Sequence, residues 1–228
     1  EKWTPEEVER VTGVPGAPAA QVQQIQEFSS GGLAGVWAPE NTREAIWDAM
    51  KRKETFATSG PMITVRFFGS FDYATDDVQK PDFLKRAYSA GVPMGGDLKP
   101  GTGKAPTFLV MASKDPKSGN LDRIQIVKAW LDPAGKQHEK IYDVAWSGDR
   151  KLDADGHLPA IGNSVDLKTA TYTNDIGAPQ LATGWTDPDF KPGLEGVIAF
   201  ETEIAEPDRE GGALRYRGVD IEDLVGRV

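Results

Sequence analysis

The 228-residue chain has no cysteine and only two histidines. The first absence excludes disulfides, thiolate nucleophiles and cysteine-ligated zinc together, while leaving both cytoplasm and periplasm open. The second nearly empties the rest of the metal-binding menu. His138 stands in "GKQHEKIYD" at the start of a strand-like run, and His157 closes the turn "DADGH". No H-x-H or H-x-x-x-H spacing exists, so each reads as an isolated surface histidine. Also missing is an apolar run near the ~20 residues that a transmembrane helix needs. The opening "EKWTPEEVERV" is not a signal peptide and reads as the start of a mature form or a fragment. No basic run of five occurs; the densest, "MKRKE", is flanked by acids. With 26 Lys+Arg against 35 Asp+Glu, a phosphate-tracking nucleic-acid surface is disfavoured.

What is present suffices for a buried core: 39% hydrophobic residues, 9% of the chain aromatic, enough for one large domain or two small ones. Residues 1–30 read as helical and surface-like, a packing arm, with Thr4 as cap, Pro5 at the first helical position, and Val22, Ile25 and Phe28 on one face of a second helix. Asn41 or Thr42 caps a further helix whose inner face is Ala45, Ile46, Ala49 and Met50. "MITVRFF" alternates Ile63, Val65 and Phe67 against Thr64, Arg66 and Phe68, the period of a strand. Residues 70–106 are rich in Asp, Pro and Gly, an insertion with one helix at "PDFLKRAYSAG". Strand-like runs return at "TFLVMAS", "DRIQIVKAWL", "EKIYDVAW" and "SVDLKTATYT", spaced as in an antiparallel sandwich. Past "TDPDFKPG", the segment "EGVIAFETEIAEPD" alternates again. "GG" turns it, "ALRYRG" returns, and Asp220 caps a helix stub. The fold expectation is α+β: a helical N-terminal segment (1–61), an antiparallel β-sandwich-like middle (62–190) and a small β-hairpin plus helix tail (191–228).

Candidate chemistry is sparse. "DADG" at 153–156 resembles half a calcium loop, but the twelfth position is Ser164 rather than Glu, so a hairpin turn is favoured. Turn chemistry also accounts for Asp115 and Asp122 at the ends of "DPKSGNLD". "GGDLKPGTGK" around Lys104 lacks the phosphate-loop order. Ser59 in "TSGP" has no identifiable base, so a helix-to-strand turn outweighs a nucleophile. Trp37, Trp47, Trp130 and Trp146 are scattered as core and interface anchors.

The run "NTREAIWDAMKRKETFATSGP" carries a resemblance. Residues 33–69 resemble the closing part of the catalytic domain in a large bacterial family of the PHP (polymerase and histidinol phosphatase) superfamily of metallohydrolases. The similarity continues through "GVPMGGDL", "KAPTFLVMASKDP", "NLDRIQIVKAW" and "NSVDLKTATYTNDIGAPQL", covering about residues 17–190. It implies the last helix of a catalytic barrel, a turn and an accessory β-rich domain, with a divalent metal in the full-length family. The metal-ligand segments of that superfamily are not in this chain, so no cofactor is expected here and no metal ligand is assigned. The expected partner is the missing N-terminal catalytic half. Catalytic residues stay unassigned; Arg43, Glu44, Thr58, Ser59 and Gly60 are candidates for a turn flanking the active site. One departure is Met62, where the family commonly has Arg.

Residues 192–228, with "LRYRGVDIEDL" as the specific part, resemble the N-terminus of a citrate synthase. The catalytic residues of those enzymes come later in their chains, so none carries over. The two resemblances together imply a chimera joined near Phe190, whose tail could self-associate through Leu214, Val219, Ile221 and Leu224. The functional expectation is therefore the C-terminal part of a metal-dependent hydrolase acting on phosphoester-like substrates, inactive in isolation. The alternatives are a non-catalytic β-rich interaction or glycan-binding module and a citrate synthase fragment. The junction is directly testable. Lys191 precedes Pro192 and resists trypsin, so the purified protein should yield one peptide from Thr169 to Arg209 in tandem mass spectrometry. A different sequence after "TDPDF" would remove the tail from consideration.

Overall fold

Period-two alternation governs the longer strands from residue 63 onward, and the architecture follows from which faces that alternation makes apolar. The structure, a computed structural model, describes residue 4 and residues 32–58, 60–99, 103–166, 168–169, 171–194 and 196–205. Strand β1 (Leu33–Val36) leads into helix α1 (Arg43–Lys51) and returns through β2 (Thr55–Thr58), which pairs antiparallel with β1. Next come β3 (Thr64–Ser70), a one-turn 3-10 helix (Asp77–Gln79), α2 (Phe83–Ala90) and the two-residue β4 (Val92–Pro93). The remaining strands are β5 (Thr107–Ser113), β6 (Leu121–Leu131), β7 (Gln137–Trp146), β8 (Val165–Asp166), β9 (Thr171–Tyr172), β10 (Gln180–Thr186) and β11 (Gly196–Ile204).

Two antiparallel sheets carry the core. One has the order β10-β5-β3-β4 and the other β11-β6-β7, while β8 and β9 form a separate small ladder. Val65 and Phe67 of β3 and Phe108, Val110 and Ala112 of β5 face Leu121, Ile124 and Ile126 of β6, with Ile198 and Phe200 of β11 packed against them. Burying such side chains contributes roughly 1.5–3 kcal/mol each. The opposite face of the first sheet is covered too. Phe68 and Leu109 meet Tyr73, Val78, Phe83 and Ala87, the last two a helical turn apart on α2. Phe68 is thus buried, although alternation places it opposite Phe67. The cover comes from the Asp-, Pro- and Gly-rich stretch that follows β3.

The α+β expectation is overturned. Antiparallel sheets dominate, no barrel closes, and the fold is mainly β. Among the described residues the α-helices are α1 and α2, nine and eight residues long. One spans a hairpin connection and the other roofs one sheet face, so neither forms a layer of its own. The helices expected in residues 1–30 and at Asp220, and the return strand "ALRYRG", lie outside the described residues. The strand-like runs "TFLVMAS", "DRIQIVKAWL" and "EKIYDVAW" lie within β5, β6 and β7, the last two strands starting one and two residues earlier, and "SVDLKTATYT" contracts to the β8–β9 pair. "QLATGWT", unassigned by pattern because Gly184 and Thr183 blur the alternation, is β10.

Asp122 is a further correction. It is not a turn residue but sits on β6, buried, receiving Arg123 Nε at 3.0 Å and the Arg150 guanidinium. Arg150 also donates to the carbonyls of Ser147 and Pro159, which fastens the loop after β7 onto β6. A second buried carboxylate, Asp77, fastens the roof. Burial alone pushes its carboxyl up. Hydrogen bonds from Lys80 Nζ (2.7 Å), Arg86 Nε (2.8 Å) and the Ala74 amide (2.9 Å) outweigh that and hold it down at about 2, against an ordinary 3.8.

Because the folded chain binds this proton less readily than the unfolded one, the stabilisation is full above about pH 4 and is lost as pH falls through about 2. Asp77→Asn should cost about 1–3 kcal/mol at pH 7 and should flatten the acid dependence between pH 4 and 2. Thermal melts at pH 7, 4 and 2.5 check both effects.

Candidate functional site

Helix α1 begins where Thr42, in extended backbone, turns its hydroxyl onto the Ala45 amide at 3.3 Å. Glu44 in the first turn and Lys51 in the last complement the helix dipole. The helix ends in a six-residue closing motif: Lys53 N–H bonds Met50 O at 3.0 Å and Glu54 N–H bonds Ala49 O at 3.1 Å. That geometry puts Lys53 in the left-handed region at φ 59°, where glycine is usual. Gly95 presses against it so closely that an added Cβ would stand 2.1 Å from Lys53 O.

Directly after the helix, Glu54 is only 4% exposed. One of its oxygens accepts from Arg52 Nη2 at 3.3 Å and the other from the Tyr88 hydroxyl on α2. Tyr88 in turn accepts from Arg66 Nη1 at 2.7 Å. The Arg66 guanidinium lies 3.4 Å over the Trp37 ring, and Trp37 Nε1 donates to Val65 O at 2.7 Å. Burial, then the hydrogen bond to Glu54, pushes the Tyr88 hydroxyl pKa up. Each member of this network is paired, so it works as a clamp between the β1–α1–β2 unit, β3 and α2 rather than as an acid–base pair. Pairing across 34 residues leaves no spacing signal, and pattern reading missed it.

The outer side of the unit is different. Of the four residues expected on the inner helix face, Ala45 and Ala49 are buried, while Met50 is 54% exposed. Trp47, at 64% exposure, joins Met50 and Ile46 on the outer side. Together with Asn41, Thr42, Arg43 and Glu44 they line a shallow hollow. An exposed apolar patch with a charged rim marks an interaction surface.

The turn candidates are only partly brought together. Arg43 and Glu44 occupy the first turn of α1 and line that hollow. Thr58 closes β2 opposite Leu33, and its hydroxyl accepts from Gly60 N–H at 3.4 Å. Among the described residues no hydrogen bond or ion pair joins the two pairs, and Ser59 lies outside the described residues. Met62 is exposed, and its amide donates to Asp115 at 2.7 Å. His138 stacks on Trp130 at 5.3 Å and bonds Asp132 at 2.9 Å, and the Asp153 carboxylate closes the "DADGH" turn through the amides of Asp155 and His157. Among the described residues no group of three or more His, Cys, Asp or Glu could hold a metal ion. These residues therefore do not fit the divalent metal that the resemblance implies.

The model of the family described as "Protein of unknown function (DUF3604)" matches residues 2–197. The chain belongs to the DUF3604 family. A shorter similarity is of another kind. "Putative citrate synthase 2" of Mycobacterium bovis and that of Mycobacterium tuberculosis are each 77% identical to this chain over 39 residues. The citrate synthase of Acidithiobacillus ferridurans is 49% identical over the same length. That span is 17% of the chain and 10% of each of these relatives. No solved structure matches. The DUF3604 match includes α1, the clamp and both sheets up to the start of β11. No helix among the described residues is long and apolar enough to cross a membrane.

The clamp makes a measurable claim. Tyr88→Phe strips the hydroxyl shared by Glu54 and Arg66 and should cost about 1–3 kcal/mol. Added to Glu54→Gln, it should cost clearly less than the sum of the two single losses. Urea unfolding followed by tryptophan fluorescence measures both.

Proposed function

We propose that this DUF3604 chain is the C-terminal part of a metal-dependent hydrolase of PHP type, acting on phosphoester-like or related substrates. Its role is to receive and orient the metal-binding part. The observation that carries this reading is the exposed Ile46–Trp47–Met50 side of α1, held rigidly by the clamp, in the run that resembles the end of a catalytic barrel. An aromatic and a methionine at the centre of a patch rimmed by Arg43 and Glu44 are the composition of a buried interface. The chain contributes no step of the metal chemistry itself; its residues position a neighbour.

Three outcomes are expected. The chain alone, supplied with Mn or Zn, should neither bind the metal tightly nor hydrolyse p-nitrophenyl phosphate. Adding the separately produced preceding part of a longer family member should raise hydrolysis above that of the added part alone. Trp47→Asp, on an exposed position, should leave the melting temperature unchanged and abolish the increase. Tight stoichiometric metal on this chain, or no gain from the added part, would overturn the proposal.

A further inference from the structure

Strand β11 occupies one edge of its sheet, with β6 as its neighbour. It pairs antiparallel from Gly196 opposite Trp130 to Ile204 opposite Leu121, with one irregularity at Glu203/Ile204. Alternate side chains do the recognising. Ile198 and Phe200, both half-buried, pack against the core, the Phe200 ring lying 5.1 Å from that of Phe67. Thr202 is buried and donates its hydroxyl to Arg123 O at 2.9 Å. Main-chain pairing along an edge plus pockets for every second side chain is how sheets bind extended peptides.

Two further observations mark this strand as separable. The chain before it is anchored. Asp189 accepts from Lys140 Nζ at 2.5 Å and from the Tyr142 hydroxyl at 2.6 Å, and Phe190 meets the Phe71 ring edge-on at 6.3 Å. A single turn then reverses direction: Leu194 N–H bonds Lys191 O at 3.3 Å, with Pro192 and Gly193 at the centre and Gly193 at φ +86°. In addition, residues 198–204, which include every core-facing side chain just named, lie beyond the DUF3604 match ending at residue 197. The match covers the acceptor strand β6 and only the first two residues of the strand that fills its edge.

We propose that the edge of β6 that carries β11 is a strand-docking site for an extended segment with apolar side chains at alternate positions, and that residues 196–204 are its occupant in this chain. Affinity comes from the ladder; selectivity comes from the pockets that hold Ile198 and Phe200.

The test uses the full chain carrying Ile198→Asp and Phe200→Asp, with a fluorescein-labelled peptide of residues 196–204 as probe. Fluorescence anisotropy should show the variant binding the peptide at least tenfold more tightly than the unaltered chain, whose site is filled. The same peptide with Phe200→Asp should bind the variant roughly tenfold more weakly. A variant that keeps its near-ultraviolet circular dichroism and ignores the peptide overturns the proposal. Hydrogen exchange on the unaltered chain decides independently of whether the variant folds. The β11 amides should exchange at least tenfold faster than those of β7, as a unit that opens alone. Exchange of both strands at one common rate would make β11 inseparable from the core and sink the idea.

Discussion

Phe67 holds the two sheets together. Its ring stacks on Phe108 within its own sheet at 5.4 Å and meets Phe200 across the sandwich at 5.1 Å. One of its cross-sheet contacts therefore comes from the last described strand, far along the chain from β3. Every other feature is arranged around this layer. The roof of α2 covers the back of the same sheet, the clamp hooks the α1 unit to Arg66 and Val65 beside Phe67, and the Asp122 cluster secures the loop next to Ile124.

The division between what pattern revealed and what it did not follows the range of the interactions. β3, β5, β6 and β7 could be read because their pattern is a local property of seven to eleven residues. Phe68 shows the limit: nothing in "TVRFF" says that a second layer will arrive to cover it, because Phe83 and Ala87 come from another segment. The role of Asp122 escapes local pattern for the same reason, since its partner Arg150 lies 28 residues away. The turn candidates fared unevenly. Arg43 and Glu44 were recognisable as surface positions on α1, but the significance of that surface rests on Trp47 and Met50, which periodicity had divided between anchor and core. The Glu54–Tyr88–Arg66 clamp was invisible, being assembled from three elements.

The DUF3604 match stops inside a strand. It ends at the second residue of β11, while the citrate synthase relatives share 39 residues with the chain. A sheet edge accepts a strand by backbone geometry and an alternating pattern, both of which unrelated sequences can supply. The physical demand at that edge is thus much weaker than at Gly95, where close approach admits one residue type.

That last contact has a mechanical meaning. Gly95 meets Lys53 with no room for a methyl group, and the Trp37 indole is tied to the β3 backbone a short distance away. These two fastenings tie the β1–α1–β2 unit to the sandwich and oppose swinging or sliding at its base. The unit is built as a bracket: a load applied at Trp47 passes to β3 and its neighbours through these contacts.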